Sequence, residues 1–187
     1  MATGDIDMTV RFWRDLLGMR LVAGIGSQGF RHYFLQIDGR DLLAFFEWPG
    51  VKAVERTPHG QPVEGPFIFD HVSFGVESEE DLCALKDKIA AAGFWASGVI
   101  DHGLLHSIYA YDPNGIPIEF SADVPGRDVR EHPVFADQEP PLTATEGTAP
   151  VPGHWPEVPR TTPVGERRIH PMAGSCLFGK ATGEHPV

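Results

Sequence analysis

Two glycines, Gly18 and Gly93, each end a helical pattern, and they stand 93 − 18 = 75 residues apart, so the chain reads as a repeat. Before Gly93, Ser78 is the expected N-cap of a helix reaching Ala92. Glu79, Glu80 and Asp81 suit the positive end of its dipole, and Leu82, Leu85 and Ile89 form one apolar stripe. Before Gly18, Asp7 is the expected cap, and Val10, Trp13 and Leu17 repeat the spacing. Alternating and β-rich runs predict strands over Arg20–Ala23, Phe30–Ile37, Leu42–Trp48, Phe69–Val76, Phe94–Ser97, Ser107–Tyr111 and Pro117–Ala122. The expected class is therefore α+β, with two tandem βαβββ modules at residues 1–50 and 66–123. The first strand of module one is expected to be missing, because subtracting 75 from 69–76 places it at −6 to 1. A shortened form of a longer chain is the corresponding expectation. An unpaired sheet edge favours association, so a homo-oligomer is expected too.

Eleven of the 17 prolines fall after residue 123, which sets the packed domain at 1–123 and a Pro-rich, largely irregular tail at 124–187. The tail carries four histidines and Trp155, read as lying on the domain or on a neighbouring subunit. A net charge of −11 argues against nucleic acid or an anionic membrane surface as partner and leaves a small molecule. No apolar run is long enough to span a bilayer and no signal-peptide order is present, so a cytoplasmic location is expected. Cys83 and Cys176 lie far apart without CxxC spacing, which offers neither a disulfide framework nor a thiolate zinc site. Attention passes to the nine histidines.

Gly24-Ile25-Gly26-Ser27-Gln28-Gly29 spells a dinucleotide-binding fingerprint, but Phe30–Ile37 after it reads as a strand where a helix is required, so it is taken as a loop. A better constellation starts at His71, which shares one face of its strand with Ser73 and Gly75. Forty-eight residues on, the turn Asp112-Pro113-Asn114-Gly115 leads into Ile116-Pro117-Ile118-Glu119-Phe120, where Glu119 sits between apolar neighbours. A carboxylate buried there needs a partner. His71 and Glu119, on the first and last strands of one repeat, could together hold a divalent metal.

Tandem modules with His on the opening strand and Glu after an Asp-Pro-Asn-Gly turn resemble the vicinal oxygen chelate superfamily, which includes glyoxalases, antibiotic-binding resistance proteins and extradiol dioxygenases. The resemblance covers residues 1–123 and implies that the modules form a cupped mixed sheet around a metal. A longer pattern, Ile100-Asp101-His102, then Ile108-Tyr109, Asp112-Pro113-Asn114-Gly115 and Glu119, is similar to the signature of extradiol ring-cleavage dioxygenases. That likeness implies a non-haem Fe(II) enzyme, or one using Mn(II) or another divalent metal, that cleaves a small aromatic, catecholic substrate with dioxygen. It further implies that His71 and Glu119 are metal ligands and that His102 and Tyr109 face the substrate oxygens. The residues alone leave other roles open: His102 could be a solvent-exposed loop histidine, His106 could replace it, and Tyr109 could simply fill a strand position. Phe45, Phe74 and Phe120 are candidates to line the cup or the core.

Within the same resemblance, glyoxalase-type sites take a second carboxylate at the position 119 − 75 = 44, which here is Ala44. Glu47, three positions on, points to the opposite face of a regular strand. A lyase or isomerase of glyoxalase type is thereby weakened, and a non-catalytic small-molecule binder of the same fold stays as an alternative. The remaining composition is a facial triad with one histidine lacking, whose counterpart position, 71 − 75 = −4, precedes Met1. The extradiol acid–base histidine has no obvious match: the corresponding stretch begins at Asp41, and His32 and His59 are substitutes that nothing in the sequence places.

Overall fold

The computed structural model describes residues 1–56, 58–60, 62, 69–153 and 155–169. Residues 66–68 of the second module, together with Cys176 and the tail histidines His154, His170 and His185, lie outside the described residues. The chain divides into two units, Met1–Asp128 and Val129–Val187.

The first unit holds two four-stranded sheets built on one plan. Module one runs β1 (Ala2–Thr3), α1 (Ile6–Val10, prolonged by π-helical turns over Arg11–Leu16), β2 (Arg20–Ser27), β3 (Phe30–Gln36) and β4 (Leu42–Glu47), in sheet order β1-β4-β3-β2. Module two runs β5 (Val72–Gly75), α2 (Glu79–Ala91), β6 (Ile100–Asp101), β7 (Leu105–Tyr111) and β8 (Pro117–Asp123), in order β5-β8-β7-β6. In each sheet the opening strand lies parallel to the last and the other pairs are antiparallel. A helix carries the chain over the sheet between the opening strand and the rest, which is what a parallel pairing requires.

Local chemistry accounts for the elements. The Ser78 hydroxyl accepts the Asp81 amide at 3.1 Å, three carboxylates occupy the first turn of α2, and Gly93 at φ +83° ends the run. Leu82 and Ile89 are fully buried, each contributing about 1.5–3 kcal/mol by leaving water. Trp13, also fully buried, has its ring 5.7 Å from both Phe45 of module one and Phe74 of module two, so one core runs through both modules.

Several expectations need correction. Asp5, not Asp7, caps α1, accepting the Met8 amide at 2.9 Å, because the helix begins at Ile6 and leaves Asp7 inside its first turn. The strand expected to be missing is present as the short β1, which pairs Ala2 with Phe46 and Thr3 with Glu47. Phe94–Ser97 is not a strand. The Ser97 hydroxyl accepts the Tyr109 amide at 2.8 Å where a ladder bond would run, leaving one bridge, Ala96 to Ala110, and Ile100–Asp101 pairs with β7 instead. The opening strand of module two starts at Val72 rather than Phe69, with the side chains of Asp70 and His71 engaged with each other just before it. Of the glycine-rich stretch, Gly24–Ser27 continues β2 and only Gln28–Gly29 turns. Gly24 is required there because a Cβ would come within 2.8 Å of the Tyr33 ring.

In the second unit the described residues carry a short helix, α3 (Leu142–Thr145), and a 3-10 turn at Val164–Glu166 that Arg160 braces through Glu166 at 2.8 Å. Trp155, Val158, Val164 and Ile169 are exposed. Among the described residues no helix is long and apolar enough to cross a membrane.

Candidate metal centre

The site is aimed by the turn that opens β8. Asp112, 1% exposed, accepts the amides of Asn114 at 2.8 Å and Ile116 at 2.9 Å on one oxygen. Its other oxygen takes the Trp13 indole N–H at 3.3 Å and the Asn114 side-chain amide at 2.9 Å. Burial pushes the Asp112 carboxyl up, and these donors oppose that rise. Asn114 accepts the Thr3 hydroxyl at 2.7 Å and donates to Thr9 at 3.0 Å. The Asp and Asn of the motif thus fasten module two onto module one. From this anchor β8 proceeds with Ile118, Phe120 and Ala122 in the core and Glu119, 8% exposed, on the opposite face.

A row of polar side chains crosses that face. Tyr109, opposite Glu119 in the ladder, donates its hydroxyl to Glu119 Oε1 at 3.0 Å. His102 Nε2 lies 3.1 Å from the same hydroxyl. On the other side His71 Nε2 lies 3.3 Å from Glu119 Oε2, and His71 Nδ1 lies 2.5 Å from Asp70 Oδ1. An Nδ1–H donated to Asp70 leaves the Nε2 lone pair facing Glu119, the tautomer a metal-binding imidazole uses. Burial alone raises the Glu119 carboxyl, but hydrogen bonds from Ser73 and Tyr109 and the neighbouring His71 bring it below its usual range. Burial, then the bond to Glu119, pushes the Tyr109 phenol up to about 12, so it stays a donor near neutral pH. The hydrogen bond from His71 holds Asp70 low.

His71, Glu119, His102 and Tyr109 are therefore contiguous. Two further residues complete the surroundings. Asp70 was hidden because a carboxylate next to a histidine in sequence carries no signal until the ring folds onto it. His59 lies between the modules, its side chain 9% exposed, its ring centroid 4.5 Å from Tyr109, 5.2 Å from Tyr111 and 5.7 Å from His71. Burial, with His71 nearby, lowers its pKa. Both ring nitrogens are buried without a hydrogen-bond partner among the described residues, an arrangement that costs about 1–3 kcal/mol per unsatisfied group. Donor atoms of His59, Asp70 and His71 all lie within 4.8 Å of one another. Imidazoles and carboxylates gathered this way, with orphaned ring nitrogens among them, fit a divalent first-row metal.

Other candidates fall elsewhere. His32 stacks on Phe46 at 3.5 Å on the module-one sheet, and Asp41 is exposed at the start of β4. His106 bonds Glu79 at 2.9 Å. Phe45, Phe74 and Phe120 belong to the core rather than the cup wall. Ala44 pairs with Phe34, while Glu47 accepts the Ile6 amide at 3.0 Å and Arg31 at 2.7 Å in a β3–β4 ladder without a bulge. Beside the polar row opens a cavity of about 690 Å³, walled by His59, Trp95, Ile100, Tyr109 and Tyr111, with the Arg56 guanidinium 5.3 Å over the Tyr111 ring.

Comparison with known proteins agrees with this architecture. Residues 1–120 match the profile of the Glyoxalase/Bleomycin resistance protein/Dioxygenase superfamily. MhqA of Bacillus subtilis, named as a candidate ring-cleaving dioxygenase, is 33% identical over 82 residues, covering 44% of this chain but only 26% of MhqA. Lactoylglutathione lyase of Haemophilus influenzae is 26% identical over 125 residues, 64% of this chain and 86% of the lyase. Among solved structures, a glyoxylase/bleomycin resistance protein/dioxygenase domain from Frankia superposes with a TM-score of 0.54 at 20% identity, over 66% of this chain and 92% of that domain. The fosfomycin resistance protein FosX of Listeria monocytogenes gives 0.52 at 17% identity, over 68% and 91%. With the profile spanning both modules and the strand order repeated in each, the chain belongs to the glyoxalase/bleomycin resistance/dioxygenase superfamily, also called vicinal oxygen chelate proteins.

Proposed function

We propose that this chain is a metal-dependent extradiol-type dioxygenase that opens a small catecholic ring with dioxygen, its metal Fe(II) or Mn(II) held by His71 and Glu119. The observation that carries the reading is the row His71, Glu119, Tyr109, His102, with His71 Nε2 3.3 Å from Glu119 and hydrogen bonds joining Glu119 to Tyr109 and Tyr109 to His102, along an aromatic-walled cavity large enough for one substituted ring. MhqA, similar over 82 residues, bears a ring-cleaving name. A second carboxylate of glyoxalase type has no place, since Ala44 stands there and Glu47 is committed to the α1 amide and Arg31.

When bound, the metal supplies a Lewis-acidic, redox-capable centre at which a catecholate and dioxygen meet. The chain's own groups handle orientation and protons. Trp95, Tyr111 and the Tyr109 ring offer faces for an aromatic substrate. Tyr109, neutral with its phenol pushed up to about 12, keeps a proton on its hydroxyl. His102, 3.1 Å away, is placed to take a proton from a substrate hydroxyl or return it through that phenol. Preorganised donors of this kind favour developing negative charge on oxygen more than water does. Oxygen uptake by anaerobically Fe(II)-loaded protein, measured with a panel of catechols, tests the reading. Catechol-dependent uptake with a ring-opened product is expected. Stoichiometric metal binding without uptake on any catechol would sink it in favour of a non-catalytic binder.

A further inference from the structure

Among the described residues of the segment joining the modules, His59 lies against the candidate metal centre. The His59 side chain is 9% exposed and neither ring nitrogen has a hydrogen-bond partner among the described residues, whereas buried polar groups are nearly always paired. Its Nδ1 is 3.9 Å from Asp70 Oδ1, too far for a hydrogen bond, and its donor atom lies within 4.8 Å of those of Asp70 and His71. Bonds of about 2.0–2.2 Å to a shared ion put two neighbouring donor atoms roughly 3 Å apart, so an ion held here draws these side chains closer together than their present spacing. Asp70 ties the two histidines together: Oδ1 engages His71 Nδ1, and Oδ2 accepts the amide of Gly60, next to His59, at 3.2 Å. Glu119 joins through His71, whose Nε2 is 3.3 Å from Oε2.

We propose that His59 is a protein ligand of the divalent metal, completing with His71 and Glu119 a two-histidine, one-carboxylate set from the inter-module segment, with Asp70 positioning both imidazoles. This rests on the metal-centre reading above.

The test titrates the full chain anaerobically with Mn(II) and records spin-echo modulation of the Cu(II)-loaded protein to count bound imidazoles. Two are expected in the parent and one in His59→Gly. Mn(II) affinity should fall by more than about a hundredfold in His59→Gly, beyond the range typical of losing an outer-sphere partner. Added imidazole should restore much of it. His59→Phe, which keeps the ring packing and removes the two unpaired nitrogens, should lose metal equally without lowering the metal-free thermal transition. Parent-like Mn(II) affinity in both variants, or a single imidazole in the parent, overturns the proposal. If His71→Ala and Glu119→Gln lose metal while the His59 variants do not, the centre stands and only this inference fails. If none of the four changes affinity, the centre itself is wrong.

Discussion

At the residue scale, His102 and Tyr109 test whether the polar row does chemistry or only fills a strand face. Neither is assigned to the metal, so His102→Ala and Tyr109→Phe should keep it while catechol-dependent oxygen uptake falls by about 10²-fold or more, the usual weight of a general acid–base or a preorganised donor. Metal loss in either, or parent-like turnover in both, returns them to structural roles. His32 offers a pH test away from the site. Burial, then the N-terminal ammonium, lowers its pKa from 6.5, so the unfolded chain takes up that proton first on acidification. Stability should be complete above about 6.5 and fall as pH drops from there toward the folded value. Thermal unfolding from pH 8 to pH 5 should show a shallower decline for His32→Phe, and equal slopes would contradict the assignment.

At the scale of elements, the Asp112–Gly115 turn positions Glu119 without touching it. Asp112→Asn replaces an acceptor oxygen with an NH2 that confronts other donors, and a loss of about 1–3 kcal/mol is expected from chemical unfolding. Gly115 holds φ +81°, and a Cβ there would collide with the Val54 carbonyl. Gly115→Ala should therefore cost at least about 1–2 kcal/mol. Both variants should also weaken metal binding by displacing β8, whereas unchanged affinity would separate the turn from the site.

At the scale of the molecule, a core running through Trp13, Phe45 and Phe74 makes one cooperative unit of the two modules. We propose that residues 1–128 carry the fold and the metal site, so a chain ending at Asp128 should keep the circular dichroism of its sheets and its Mn(II) affinity. Loss of either would give the second unit a role.

Periodicity, caps and turn chemistry are local, and they sufficed for the repeat, the helices over 79–91 and 6–16, and the strands that became β2, β3, β4, β7 and β8. Of the candidate quartet, His71 and Glu119 were legible from their strands and the Asp-Pro-Asn-Gly turn, whereas His102 and Tyr109 were picked out only by the likeness to the extradiol signature. Local pattern failed where a side chain displaced the backbone ladder, as Ser97 does at Tyr109, and where a cap depended on which residue opened the helix, as with Asp5. It could not place His59 or choose between His102 and His106, since those depend on contacts between segments far apart in sequence. Only the folded core decides them: it brings the inter-module segment against β7 and turns His106 toward α2, so that His59 rather than His32 faces His71.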